Sequence, residues 1–197
     1  VTENTLVFFC SDNGPEGTGT PEPDYDAYRG AFYGKTGVFR GRKRYLYNGG
    51  VCVPATAVWP GTIEPGRVVT MPTSVLDYVP TLCAMVGRPT AHDRPLDGED
   101  VLPMLTGTST TRTTPVPFAT NTREPFTAWI RADFKLLSNL DPDGTGDELY
   151  HLHDDPREAN DLAGAEPERV ALMRAELVTW LRSCQTSYDG GDYRSAY

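Results

Sequence analysis

Polar residues that could bind a cation follow an apolar stretch near the start of the sequence. Residues 5–10, TLVFFC, are rich in aromatic and branched side chains, which predicts a strand buried on both faces. Asp12 and Asn13 come directly after it, at the strand end where open α/β sheets bind ligands. A carboxylate and an amide carbonyl are hard oxygen donors suited to Ca²⁺ or Mg²⁺. Asn13-Gly14 is also a common tight-turn dipeptide, so the pattern fits either a plain turn or a turn that carries a metal site.

A second segment with chemical potential is basic. Residues 39–50, FRGRKRYLYNGG, hold Arg40, Arg42, Lys43 and Arg44 in a chain whose net charge is -9. This concentration of cations predicts a local anion site. The alternative is a basic run that faces water, since charge runs normally do so.

The composition narrows the classes of function. A net charge of -9 argues against a nucleic-acid partner. No run approaches the roughly 18 apolar residues of a membrane helix, so no membrane span is predicted. The four cysteines are widely spaced and include no Cys-x-x-Cys pair, which argues against a zinc site. An apolar content of 39% is sufficient for a hydrophobic core.

The elements that must position these residues are short strands and one helix in the first half of the chain. Residues 51–59 and 68–71 are predicted strands, and residues 17–29 are predicted to form a loop over the first strand end. Residues 75–86 have apolar side chains at helical spacing, with Gly87 as the stop. Pro80 should divide this segment into an initial turn and a helix proper.

Ser74 and Asp77 predict how that helix begins. A serine followed three residues later by an acidic residue resembles a capping box, with Asp in place of the usual Glu. Cys83 then lies on the apolar face and is most simply a core residue.

The second half of the chain has a different pattern. The polar segment 106–114, TGTSTTRTT, is the predicted connection between a sheet domain, residues 1–107, and a small subdomain, residues 108–197. Beyond it, alternating patterns predict an antiparallel sheet, and Pro167 opens a helix that should pack on it. The predicted strands are residues 118–121, 127–132, 134–140 and 148–152, and the apolar helix face is Val170, Met173, Leu177, Leu181 and Cys184.

Four sequence blocks in order resemble one known family. They are ENTLVFFCSDNG (3–14), FRGRKRYLYNGGVCVPATAVWPG (39–61), TSVLDYVPTLCAMVG (73–87) and ELYHLHDDPREANDL (148–162). The chain resembles the C-terminal half of a type I, formylglycine-dependent sulfatase of the alkaline-phosphatase-like superfamily. The resemblance implies an α/β fold: the C-terminal part of the sheet domain, then a small antiparallel sheet subdomain with a C-terminal helix.

The resemblance also implies roles for the residues picked out above. It implies calcium-dependent hydrolysis of sulfate esters, aryl or carbohydrate, with Asp12 and Asn13 as two ligands of the calcium ion. Lys43 occupies the position of the lysine that contacts the sulfate, and Arg40 is a more peripheral substrate-binding residue. Many members have Glu and Arg where this chain has Asn48 and Cys52, so substrate contacts at those two positions are left open.

The family's nucleophile motif, Cys/Ser-x-Pro-x-Arg, is imitated at residues 52–56, CVPAT. Cys52 is not the expected nucleophile, because Thr56 replaces the arginine and the segment already belongs to the strand after Gly49-Gly50. The nucleophile, two further acidic calcium ligands and a substrate-side histidine are therefore expected in an N-terminal portion that precedes this chain. That portion is a predicted partner, and the chain alone is predicted to be inactive.

Two other functions remain open from the sequence. One is phosphoryl transfer on the same fold, which shares the metal-binding Asp12. The other is a non-catalytic module that binds anions. His151, His153, Asp154 and Asp155 could also be drawn as a metal cluster, but they lie in the block 148–162, and its resemblance to the family's C-terminal signature implies a structural role.

Overall fold

A two-stranded antiparallel ladder carries the turn of Asp12 and Asn13. The computed structural model describes residues 4–16, 34–90, 95–121 and 124–192, so the predicted loop 17–29 lies outside the described residues. Strand β1 spans Val7–Cys10 and strand β2 spans Ala55–Val58, in a register that pairs Val7 with Val58 and Cys10 with Ala55. Both predicted strands are confirmed, except that the start of the second belongs to the short helix α1, Asn48–Val51.

Strand β1 is not buried on both faces within the described part of the chain. Phe8 stacks on Tyr78, with ring centroids 4.9 Å apart, so one face is covered. The other face is open: Phe9 is 70% exposed and Val7 is 53% exposed. Among the described residues only the Phe8 face has a packing partner of this kind, so burial of β1 on both faces stays a prediction for the complete protein.

The predicted helix of residues 75–86 forms as two pieces. The capping box is confirmed: Ser74 N–H donates to Asp77 Oδ2 at 2.7 Å, and Leu76 N–H donates to Ser74 Oγ at 3.3 Å. A 3-10 helix, Val75–Asp77, leads into helix α2, Tyr78–Met85. The break precedes Pro80, which lies in the first turn of α2, where its missing N–H is not needed.

Helix α2 turns a polar face inward. Its apolar residues share one side as the spacing predicts, but that side is exposed in the described structure. Asp77 and Thr81 are fully buried instead. Asp77 forms a bidentate ion pair with Arg112, at 2.7 and 2.9 Å, and Thr81 Oγ1 accepts a hydrogen bond from Val101 N–H at 3.0 Å. The exposed apolar residues are Val75, Val79, Leu82 and Val86.

The polar connection between the two halves is firmly attached. Helix α3, Leu102–Thr106, ends at Gly107, whose φ is 88°. The buried Arg112 then binds Asp77 across 35 residues of sequence. Residues 68–71, a predicted strand, form none. The division of the chain at residues 107 and 108 stays a prediction.

The second half forms a four-stranded antiparallel sheet with a long helix. Its strands lie in the order β3-β4-β5-β6, and helix α4, Pro167–Tyr188, packs on one face, as predicted. Trp129, Leu136 and Leu149 meet Met173 and Leu177 of that helix. The strands are β3 Val116–Ala119, β4 Thr127–Arg131, β5 Phe134–Ser138 and β6 Glu148–His151.

The opposite face of this sheet packs against the basic segment. Ala128, Leu137 and Tyr150 form a core cluster with Leu46 and Tyr47. The sheet therefore lies between helix α4 and the segment that leads into α1. None of the helices that the structure describes combines the length and apolar character required to cross a bilayer.

Candidate active site

The metal-donor turn and the basic segment are joined through glycine backbone. Gly14 N–H donates to Gly50 O at 2.8 Å, and Lys43 N–H donates to Pro15 O at 3.1 Å. A Cβ on Gly14 would lie 1.8 Å from Gly49 O, and a Cβ on Gly50 would lie 2.0 Å from Tyr45 O. Only glycine permits this approach. The structure thus brings together the two segments that the sequence singled out.

The turn itself is held by its own hydrogen bonds. Asn13 N–H donates to Asp12 Oδ1 at 2.9 Å, and Ser11 Oγ donates to Asn13 O at 3.1 Å. Asn13 Nδ2 donates to Gly14 O at 2.8 Å. This hydrogen bond uses the nitrogen of the side-chain amide and not its oxygen. Asp12 is exposed. An exposed carboxylate beside an amide oxygen is a donor pair of the chemical type that calcium prefers.

Within the part of the chain that the structure describes, this donor pair is not joined by a cluster of acidic, histidine or cysteine side chains. Across residues 4–16, 34–90, 95–121 and 124–192, no group of three or more His, Cys, Asp or Glu side chains could hold a metal ion. His151 is engaged elsewhere, since its Nδ1 lies 2.8 Å from Asp154 Oδ2. The donor types at Asp12 and Asn13 fit calcium, but two donors are fewer than the roughly six to eight oxygens that the ion takes.

Lys43 and Arg44 converge on one carboxylate. Lys43 Nζ lies 3.2 Å from Glu16 Oε2, and Arg44 binds Glu16 Oε1. The hydrogen bond from Arg44 is the main cause of a lowered Glu16 pKa; desolvation opposes it, and the hydrogen bond from Lys43 adds to the lowering. The Lys43 side chain is 38% exposed, so an anion from solvent can reach it. Two neighbouring cations around one carboxylate are what an anion site requires.

Arg40 points to a different part of the molecule. Its Nη1 lies 3.0 Å from Glu148 Oε2 and donates to Tyr150 Oη at 2.8 Å, while its guanidinium lies 3.8 Å from the centre of the Tyr47 ring. Burial by itself would lower the pKa of Arg40, but Tyr47 and Glu148 outweigh it and raise the pKa. Arg40 therefore anchors the basic segment to the sheet. Its predicted contact with substrate stays a prediction.

The sequence interpretation missed a buried ion pair behind the site. Lys135 Nζ lies 2.7 Å from Glu158 Oε1, and both side chains are fully buried. Lys135 also donates to Asn48 Oδ1 at 3.1 Å, and Glu158 Oε2 accepts from Asn48 N–H at 2.7 Å. Desolvation lowers the pKa of Lys135, although the Glu158 carboxylate opposes the shift.

A signal for this pair was present in the sequence. Lys135 and Leu137 are two residues apart in strand β5 and therefore share one face of the sheet. The pattern thus places a lysine on a face with a buried leucine. A buried lysine must be paired, which calls for an acidic partner. The structure also shows that Asn48, whose contacts the sequence left open, forms hydrogen bonds with both members of this ion pair.

Cys52 lies just beyond α1 and is poorly suited to nucleophilic attack. Desolvation raises the pKa of its thiol, Lys135 partly offsets the rise, and Glu158 adds to it. A higher pKa leaves less of the reactive thiolate. Thr56, which stands where the motif requires arginine, lies in β2 opposite Phe9.

Comparison with known proteins identifies the family. Residues 1–87 match the sulfatase family model. Mouse steryl-sulfatase is 41% identical over 107 residues, which cover 54% of this chain and 16% of that protein. Human arylsulfatase A is 33% identical over 209 residues, covering 90% of this chain and 39% of that protein.

Solved sulfatase structures share the fold. The PsFucS1 sulfatase from Pseudoalteromonas sp. superposes with a TM-score of 0.69 at 24% identity, over 93% of this chain and 38% of that chain. Ps i-CgsB, solved in complex with k-i-k-neocarrahexaose, gives a TM-score of 0.71 at 24% identity, over 91% of this chain and 37% of that chain. The chain spans 39% of arylsulfatase A and a smaller share of the other named relatives. We therefore identify residues 1–87 as sulfatase-family sequence, in a chain that shares the fold of solved sulfatases and corresponds to part of the length of its relatives.

Proposed function

We propose that this chain is part of an enzyme that hydrolyses sulfate esters, in which it supplies the cationic side of the site. The observation that carries the proposal is the pairing of Lys43 and Arg44 around the Glu16 carboxylate, with Lys43 N–H bonded to Pro15 O at 3.1 Å beside the Asp12–Asn13 turn. A sulfate group is an oxyanion like a carboxylate. The same two cations can bind it when it displaces Glu16.

Lys43 is the proposed catalytic residue of this chain. Hydrolysis breaks the bond between sulfur and the alcohol oxygen and gives sulfur a new oxygen from water, releasing an alcohol and sulfate. Negative charge grows on the oxygens as the bond breaks, and an ammonium fixed beside them stabilises that charge. Lys43 has a fixed backbone, through Pro15 O, and an accessible side chain.

Asp12 and Asn13 are the proposed calcium ligands. Both offer oxygen donors, and the hydrogen bond of Asn13 Nδ2 to Gly14 O orients the amide. A calcium ion bound there would neutralise charge on the sulfate oxygens. The remaining ligands are proposed to come from the N-terminal portion of the complete protein.

The nucleophile, formylglycine by resemblance, is proposed to lie in that N-terminal portion too. The raised thiol pKa of Cys52 and the threonine at position 56 argue against Cys52 as the nucleophile. The open face of β1, with Phe9 70% exposed, and the exposed apolar side of α2 are surfaces that further chain would cover.

A non-catalytic anion-binding module is the second candidate. One observation favours it: Lys43 and Arg44 already bind a carboxylate, that of Glu16, and holding an anion in this way requires no nucleophile. In that case sulfate would bind in exchange for Glu16 and leave unchanged. The sulfatase relatives favour the enzyme.

The test is turnover by the complete protein that contains this chain. A chromogenic aryl sulfate is offered with calcium, with the matching aryl phosphate as a parallel substrate. We expect the sulfate ester to be hydrolysed faster and the rate to depend on Lys43. Faster turnover of the phosphate ester would support phosphoryl transfer, and binding of sulfate without turnover of either ester would support the module.

A further inference from the structure

A buried ion pair connects the C-terminal sheet to helix α1. Lys135 and Glu158 are both fully buried, with 2.7 Å between Nζ and Oε1. Each also contacts Asn48: Lys135 donates to its side-chain oxygen at 3.1 Å, and Glu158 Oε2 accepts from its backbone N–H at 2.7 Å. Asn48 Nδ2 donates to Pro156 O at 3.0 Å. The first residue of α1 is thus held from three sides.

Helix α1 in turn supports both parts of the candidate site. Gly50 O accepts from Gly14 N–H at 2.8 Å, at the end of the Asp12–Asn13 turn. Gly49 N–H donates to Arg40 O at 2.6 Å, at the start of the basic segment. The contacts are so close that a Cβ on Gly49 would lie 2.3 Å from Gly41 O. A shift of α1 must therefore move the turn, the basic segment or both.

Stability alone is a weak reason for this arrangement. Desolvation of two buried charges largely offsets their attraction, and apolar residues of similar volume often serve stability as well or better. Hydrogen bonds are directional, so they fix the position of a neighbouring backbone better than apolar contacts do. In this cluster that backbone is Asn48.

We infer that Lys135 and Glu158 are positioning residues of the candidate site. They hold α1 in place, and α1 holds the Asp12–Asn13 turn and Lys43 at one spacing. This inference rests on the proposed function for its consequence in catalysis. Its structural part, the anchoring of the site segments by a distant ion pair, stands independently of that function.

The test uses the complete protein and removes both charges together. Lys135→Met with Glu158→Met retains the volume and avoids leaving one charge alone. The matched control is Asp147→Asn, which breaks another partly buried pair of the same subdomain, Asp147 with Arg174, 2.6 Å apart. That pair attaches α4 to the loop between β5 and β6.

Hydrogen exchange followed by mass spectrometry reads the anchoring directly. We expect exchange in peptides covering residues 11–15 and 48–52 to rise about ten- to a hundredfold in the double methionine variant, with α4 unchanged, because a hydrogen bond to a charged acceptor is lost. Asp147→Asn should raise exchange at α4 and leave the site peptides unchanged. Equal protection of the site peptides in wild type and the double variant would overturn the inference.

Kinetics on an aryl sulfate separates positioning from stability. At a temperature where all variants remain folded, kcat/KM of the double variant should fall about ten- to a hundredfold, as expected for a small displacement of catalytic groups. Asp147→Asn should stay within about twofold of wild type. A double variant with wild-type kcat/KM would refute the role in catalysis. If wild type itself lacks turnover, the proposed function fails, and the exchange measurement still decides the anchoring.

Discussion

Replacing Gly14 by alanine should separate the two halves of the candidate site. The new Cβ would lie 1.8 Å from Gly49 O and 2.8 Å from Gly49 C, both of them backbone atoms. Neither atom can move away as a flexible side chain would. The turn and α1 must therefore part by about 1.5 Å to reach normal contact distances. The hydrogen bond from Gly14 N–H to Gly50 O, now 2.8 Å, would then be lost.

The magnitude follows from these two changes. Overpacking costs about 1–3 kcal/mol and the hydrogen bond about 0.5–1.5 kcal/mol, so the free energy of unfolding should fall by about 2–4 kcal/mol. A displacement of about 1 Å between Lys43 and the Asp12–Asn13 turn should lower kcat/KM about a hundredfold.

Urea unfolding and aryl sulfate kinetics on the complete protein would measure both effects. Gly164→Ala is the control, because a Cβ there meets nothing within 4 Å. It should change the free energy of unfolding by less than about 0.5 kcal/mol and leave kcat/KM unchanged. If Gly14→Ala behaved like the control, the close approach of the two segments would be refuted.

Three further predictions concern single side chains. Lys43→Ala should lower kcat of the complete enzyme by about a hundredfold or more, because Lys43 is proposed to act on charge that develops in the transition state. Arg44→Ala should lower kcat less; a larger loss for Arg44→Ala in the same kinetic assay would reverse the assignment. Asp12→Ala should weaken calcium binding to the complete protein, measured by calorimetry, since it removes a carboxylate ligand; unchanged affinity would count against the metal site. Arg112→Met should lower the free energy of unfolding in urea by about 3–5 kcal/mol, because it leaves the buried Asp77 carboxylate without its ion-pair partner. Arg131→Met removes the more accessible ion pair of Arg131 with Glu176 and should cost less than about 1 kcal/mol; similar losses for the two variants would contradict the difference in burial.

The C-terminal sheet and its helix were predictable because their patterns are local. Each strand of the sheet pairs with its neighbour in sequence, in the order β3-β4-β5-β6. The apolar face of α4 meets that sheet through Met173 and Leu177, as its spacing predicts. When elements that are neighbours in sequence also pack on one another, their arrangement depends little on residues far away in the sequence.

Helix α2 shows where pattern reasoning fails. The spacing correctly groups its apolar side chains on one side, but it does not identify what packs there. Asp77 is buried because Arg112, 35 residues away, binds it in a bidentate pair. A long-range partner of this kind leaves no mark in the helical period.

The candidate site was found only in part from the sequence. The Asp12–Asn13 turn and the basic segment were both identified, and the structure joins them through Gly14 and Gly50. Arg40 was grouped with Lys43 because the two are neighbours in sequence. Its actual partner is Glu148, 108 residues away.

The central claim is that this chain holds a sulfate-binding half-site without the nucleophile. Its most direct test is to express the 197 residues alone and together with the upstream sequence, and to measure hydrolysis of a chromogenic aryl sulfate in the presence of calcium. We predict turnover only when the upstream sequence is included, because covalent catalysis requires the attacking group in the same pocket. Appreciable turnover by the 197 residues alone would contradict the claim and make Cys52 the first nucleophile to test.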